Sequence, residues 1–85
     1  MPVISRFYGI TIIMYYLDHN PPHIHVRYSE REAIMNLDGY VLDGSIPHRA
    51  LKLVRDWIDI YRVELELNWQ RSQNGMELKK IKPLN

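Results

Sequence analysis

The sequence predicts an α+β domain: a small curved antiparallel sheet of three to five strands packed on one long C-terminal amphipathic helix. Three features carry this expectation. Short runs rich in Ile, Val, Thr and Tyr fill the first half and are punctuated by Pro21-Pro22, Asp38-Gly39 and Asp43-Gly44-Ser45-Ile46-Pro47. His23 to Tyr28 alternates polar and apolar with the period of a half-buried strand. After Pro47 the apolar residues recur with the period of a helix.

At 85 residues the chain has room for one core, so 1–85 is read as a single domain. A domain of this size buries a modest share of its surface, which makes a partner subunit or a second copy a natural source of further burial. The composition, 46% apolar and 25% charged, is that of a folding globular chain. A net charge of +1 creates no global field for nucleic acid, so any such contact has to come from a local patch. With no cysteine, the chain has no disulfide, thiol nucleophile or thiolate metal site. Neither a leader pattern nor an apolar run long enough to span a bilayer is present, so a cytoplasmic location is expected.

The first strand is placed at about 7–17, where both alternating sets are apolar, as in a strand covered on both faces. The diproline then forces an extended turn. A second strand at 23–28 directs Ile24, Val26 and Tyr28 to the core and His23, His25 and Arg27 to the other side. Ser29, Glu30 and Arg31 form a polar turn into a third strand at 32–37, and a short strand at 40–42 follows Asp38-Gly39.

The helix is placed at about 47–71, with Pro47 suited to its first turn and Ser45 available as a cap. Ala50, Val54, Trp57, Ile58, Tyr61, Leu65 and Trp69 share its core arc, opposite Lys52, Arg55, Asp59, Arg62, Glu66 and Gln70. Ile60, Val63 and Leu67 fall off the edge of that arc. Either the tail at 76–84 folds back over them or they form a contact with another protein. Burial of three such side chains is worth on the order of 5 kcal/mol before entropic costs.

Candidate chemistry is concentrated in Asp18-His19-Asn20-Pro21-Pro22-His23-Ile24-His25-Val26-Arg27, which holds three of the four histidines. His23 and His25, two apart on a strand, project from one face about 7 Å apart with Arg27 next in the row. The diproline turn stiffens the approach and brings His19 near. This pattern fits RNA cleavage without a metal or other cofactor: one imidazole takes a proton from a 2′-hydroxyl, another protonates the leaving oxygen, and Arg27 offsets the developing charge. Tyr15 or Tyr40 is available as a base-stacking surface. A metal site is a weaker fit, since His23 and His25 are two ligands and the rest would have to come from His19, Asp18 or His48. The plainest alternative is a solvated sheet face, which explains the alternation but not three imidazoles beside a rigid turn. His48 and Arg49 stand at the helix start, where free backbone donors favour an anion such as phosphate and can extend the basic row to RNA.

Tyr15-Tyr16 with Asp18-His19, Pro21-Pro22-His23-Ile24-His25-Val26, Pro47-His48-Arg49-Ala50-Leu51-Lys52-Leu53-Val54, Asn68-Trp69 and Ile81-Lys82-Pro83-Leu84 together resemble the bacterial family known as domain of unknown function 4160. The resemblance spans nearly the whole chain, and Pro-Pro-His-x-His is its most specific part. It implies a component of a type II toxin–antitoxin-like module, more in keeping with the toxin. It also implies a cognate small protein of the domain of unknown function 2442 type as partner. The rival expectation is a non-catalytic binding module, the neutralising partner, that grips another protein through a sheet edge and the stripe of Ile60, Val63 and Leu67. The family pattern is polar at those three positions, so a contact there is particular to this chain.

Overall fold

The computed structural model describes residues 2–85, so the expected domain span starts at Met1, outside the described residues. Five strands precede one helix: β1 (Val3–Phe7), β2 (Ile10–Ile13), β3 (His23–Tyr28), β4 (Arg31–Asn36), β5 (Val41–Gly44) and α1 (His48–Gln73). The strands form an antiparallel meander in the order β1-β2-β3-β4-β5. This is the expected α+β architecture, with a 26-residue helix on one face of the sheet.

The largest departure from expectation lies at the N-terminus. The apolar run at 7–17 is not one strand, because the chain reverses at Tyr8-Gly9, where both residues take positive φ (50° and 77°) and Phe7 pairs with Ile10. Tyr is not a residue that signals such a turn, so the reversal is hidden inside a β-forming stretch. Past Ile13 the chain leaves the sheet. Leu17, with φ of 53°, donates its backbone N–H to the Ser72 carbonyl at 3.1 Å, which ties this long loop to the end of the helix.

The remaining strands shift little. β3 matches its expected bounds, β4 lies one residue earlier than 32–37, and β5 starts at Val41 rather than Tyr40. Tyr40 stays in the turn because the Asn36 side chain accepts hydrogen bonds from both Asp38 N–H and Tyr40 N–H, each at 3.0 Å. Gly44 closes β5 with φ of 74°, and a Cβ there would collide with the Glu32 carbonyl.

Pro47 immediately precedes α1, and no side chain caps the helix. The expected cap, Ser45, instead accepts a hydrogen bond from Arg31 at 3.0 Å. Ala50, Val54, Trp57, Ile58, Leu65 and Trp69 are buried as the periodicity requires, while Tyr61 is half-buried and its backbone (φ −111°, ψ 24°) kinks the helix. These residues pack on Ile4, Phe7, Ile10, Ile12, Ile24, Val26, Ala33 and Met35, which supply most of the apolar burial that holds the domain together. On the solvent side, Arg55 donates to the Gly39 carbonyl at 2.8 Å and Arg62 pairs with Asp38, so this side also braces the turn before β5.

The C-terminal tail does not cover Ile60, Val63 and Leu67, which remain 61%, 63% and 43% exposed. It is drawn to another side of the helix by buried polar groups that need partners. Trp57 Nε1 donates to the Lys82 carbonyl at 2.8 Å, Asn68 donates to the Lys79 carbonyl at 2.8 Å, and Ile81 N–H reaches the Ile4 carbonyl at 2.8 Å. Among the described residues no helix is long and apolar enough to cross a membrane.

Candidate functional site

Strand pairing sets the site on the sheet face away from α1. Residues opposite one another share a face, so His25 is flanked by Ile13 of β2 and Ile34 of β4. Arg27 is likewise flanked by Thr11 and Glu32. Ile13 is fully buried yet lies outside the helix-side core, so His25 projects into a second, smaller apolar layer. Tyr15 completes that layer, its ring meeting His25 edge-on at 4.6 Å.

The loop from Met14 to Pro22 carries Asp18 back over the start of β3. Two hydrogen bonds hold it there: Leu17 N–H to Ser72, and Gln73 Nε2 to the Asp18 carbonyl at 2.9 Å. The Asn20–Pro21 peptide in the same loop is cis. The loop thus delivers the Asp18 carboxylate between the two histidines of β3. Its Oδ2 lies 2.8 Å from His23 Nε2 and 3.6 Å from His25 Nε2.

His23 is almost sealed, its side chain 6% exposed. Its Nδ1 donates to the Pro21 carbonyl at 2.7 Å, and its ring lies 5.3 Å from that of Trp69. Both its nitrogens are therefore engaged. His25 differs. Its Nε2 is buried without a hydrogen-bond partner, and its Nδ1 lies 3.8 Å from Glu32 Oε1. Asp18, Glu32 and Arg27 respond to these neighbours. Burial raises the Asp18 pKa, but the His19 N–H and the His23 ring outweigh it and hold the carboxyl below its ordinary value. Glu32 is also lowered, chiefly by its 2.8 Å bond from Arg27 Nε, and Arg27 is raised by the same bond.

The expected row of His23, His25 and Arg27 is therefore present on one face, and the structure adds carboxylates to it at Asp18 and Glu32. His19 joins at the edge. Its side chain is 89% exposed, with Nδ1 3.1 Å from Asp18 Oδ1 and its ring 5.8 Å from that of His23. Of the two tyrosines considered for stacking, Tyr15 is at the site, whereas Tyr40 is 66% exposed at the turn before β5. His48 and Arg49 do not extend the row: they begin the helix on the other face, and Arg49 lines a hollow with Tyr8 and Tyr28 at the far end of β3. Beside the site, a groove of about 470 Å³ runs between the diproline turn and the helix, bordered by Pro21, Pro22, Leu37, Arg62, Trp69 and Gln70.

Glu32 is the residue that sequence reasoning missed. A two-residue turn at Ser29-Glu30 places position 32 directly across from Arg27, so the signal lay in the hairpin register. The sequence offers Asp18 only as a possible metal ligand; no local periodicity shows that a loop bonded to the distant Ser72 and Gln73 returns it to the strand.

No curated protein and no solved structure matches the chain. A family profile does match, over residues 9–70, which include the whole Asp18–His25 segment and most of α1. The chain belongs to the family described as Domain of unknown function (DUF4160).

Proposed function

We propose that the protein is the effector of a two-component, toxin–antitoxin-like module acting in the cytoplasm, and that it cuts RNA at the Asp18–His23–His25 centre. The observation that supports this reading is the convergence of a carboxylate and two imidazole nitrogens beside a cation, Arg27. Cutting a phosphodiester requires removal of a proton from the attacking oxygen, delivery of a proton to the leaving oxygen and compensation of charge at phosphorus. The row holds groups suited to each need. Glu32 engages Arg27 through Nε, and Arg27 stays 42% exposed at the rim of the site. Tyr15 offers a ring against which a base can stack.

Induction of the chain in a bacterial host tests this. The wild type is expected to arrest growth, and His25→Ala, folded by circular dichroism, is expected to leave growth unchanged. A folded wild type that leaves growth untouched, or a His25→Ala variant that arrests it equally, contradicts the reading.

The exposed stripe favours a second, compatible role. With the tail bound elsewhere, Ile60, Val63 and Leu67 form an uncovered apolar strip on α1 suited to a cognate small protein or a second copy. Val63→Glu is expected to abolish assembly measured by light scattering, and unchanged assembly rules the stripe out.

A further inference from the structure

The structure assigns a binding site for one divalent transition-metal ion to Asp18 Oδ2, His23 Nε2 and His25 Nε2. These three atoms lie within 4.8 Å of one another. The inference goes beyond RNA cleavage and does not depend on it. It also departs from the metal-free chemistry that the histidine row suggests by itself.

The ring nitrogens that point away from the centre decide which atoms are free to bind. His23 Nδ1 donates to the Pro21 carbonyl at 2.7 Å, which fixes a proton on Nδ1, so the neutral ring carries its lone pair on Nε2, toward Asp18. The His25 ring is turned the same way, with Nε2 toward Asp18 and Nδ1 on the side of Glu32, whose Oε1 at 3.8 Å lies beyond hydrogen-bond range. A backbone carbonyl behind a ligating imidazole, as Pro21 stands behind His23, is a usual second layer of a metal site, because it sets the tautomer and the ring direction.

Both Nε2 atoms then face the same carboxylate oxygen, at 2.8 Å and 3.6 Å. Lone pairs turned toward one another repel, and a positive charge between them removes that cost. A proton on His23 Nε2 satisfies that ring and Asp18 but leaves His25 Nε2 buried and unpartnered. A metal ion satisfies all three atoms at once. With ligand bonds of about 2.0–2.2 Å, donor atoms around a tetrahedral ion sit roughly 3.4 Å apart, so the 3.6 Å pair already fits and the 2.8 Å pair has to open by about 0.6 Å.

The donor set also selects the ion. Two imidazoles and one carboxylate suit the first-row transition ions from Fe²⁺ to Zn²⁺, whereas Mg²⁺ and Ca²⁺ require oxygen donors. Three protein ligands leave coordination positions for water or a substrate oxygen, the composition of reactive sites rather than closed structural ones. Asp18, with its side chain 20% exposed, marks the side from which such a group enters.

The test uses the purified full chain, stripped with a chelator and dialysed, titrated with ZnCl₂ by calorimetry and with CoCl₂ by visible absorption. The expected result is one ion per chain with Kd below about 10 μM, and ligand-field bands on Co²⁺ binding. Asp18→Asn and His25→Ala, with folding checked by circular dichroism, should each weaken Zn²⁺ binding at least about 100-fold, more than loss of an outer-layer partner does. His48→Ala, which removes an imidazole distant from the centre, should bind as the wild type does. Absence of binding by a folded wild type, or binding that survives both Asp18→Asn and His25→Ala, overturns the assignment. Because no RNA is used, this outcome is separate from that of the growth experiment: chelator-resistant RNA cleavage by a chain that binds no metal defeats the metal site alone.

Discussion

At the scale of single residues, the pairing of polar groups decides which side chains are structural and which are available for chemistry. Asn68 is fully buried and partnered at both ends of its amide: it donates to the Lys79 carbonyl and accepts from Lys79 N–H and Arg71 Nη1. Asn68→Ala is therefore expected to destabilise the fold by about 2–3 kcal/mol, because Lys79 loses both partners. Hydrogen exchange should show loss of protection at Ile81, and unchanged exchange there contradicts the anchoring role. Glu32 behaves differently, since it and Arg27 are both well exposed and their attraction is screened. Its carboxyl is held below its ordinary value of 4.5, so the stability it contributes is present above that pH and is lost as pH falls through the lowered value. Glu32→Gln is accordingly expected to lower the melting temperature by no more than a few degrees at pH 7, and the gap to wild type should close in acid. A gap that widens in acid contradicts this linkage.

At the scale of elements, backbone geometry explains both the legible and the illegible parts of the sequence. β3 could be read because alternation and a diproline boundary coincide, and α1 because Trp57, Ile58, Leu65 and Trp69 repeat at helical spacing. The β1–β2 hairpin was not legible, since Tyr8-Gly9 lies beside the apolar run from Ile10 and β1 before it carries Ser5 and Arg6, which break the apolar pattern of a strand. The kink at Tyr61 likewise follows no proline or glycine. The path of the tail was hidden because it depends on the carbonyls of Lys79 and Lys82 meeting Asn68 and Trp57, contacts that hydropathy does not encode. At the end of β5, Gly44 combines positive φ with close approach to the Glu32 backbone. Gly44→Ala is expected to cost about 3 kcal/mol, or roughly 10–20 °C in melting temperature, through strain and collision together. A loss of only a degree or two shows instead that the β4–β5 pairing yields easily.

At the scale of the whole molecule, the helix and sheet form a single core, and the candidate site lies at the edge of the opposite sheet face, covered by the Met14–Pro22 loop and Tyr15 and closed at His23 by Trp69 from the end of the helix. The division has a mechanical consequence. Changes at Asp18 and His25 leave the helix-side core of Ile24, Val26, Met35 and Trp57 intact, so function and folding separate there. His23 does not share that freedom, because it is buried against Trp69. The central claim, that Asp18, His23 and His25 form one functional centre acting on RNA, is tested most directly by incubating purified chain with end-labelled RNA. Wild type, Asp18→Asn and His25→Ala are compared at matched circular dichroism. Cleavage by the wild type is expected, with a loss of at least about 100-fold in rate in each variant. Equal cleavage by all three, or none by a folded wild type, contradicts it.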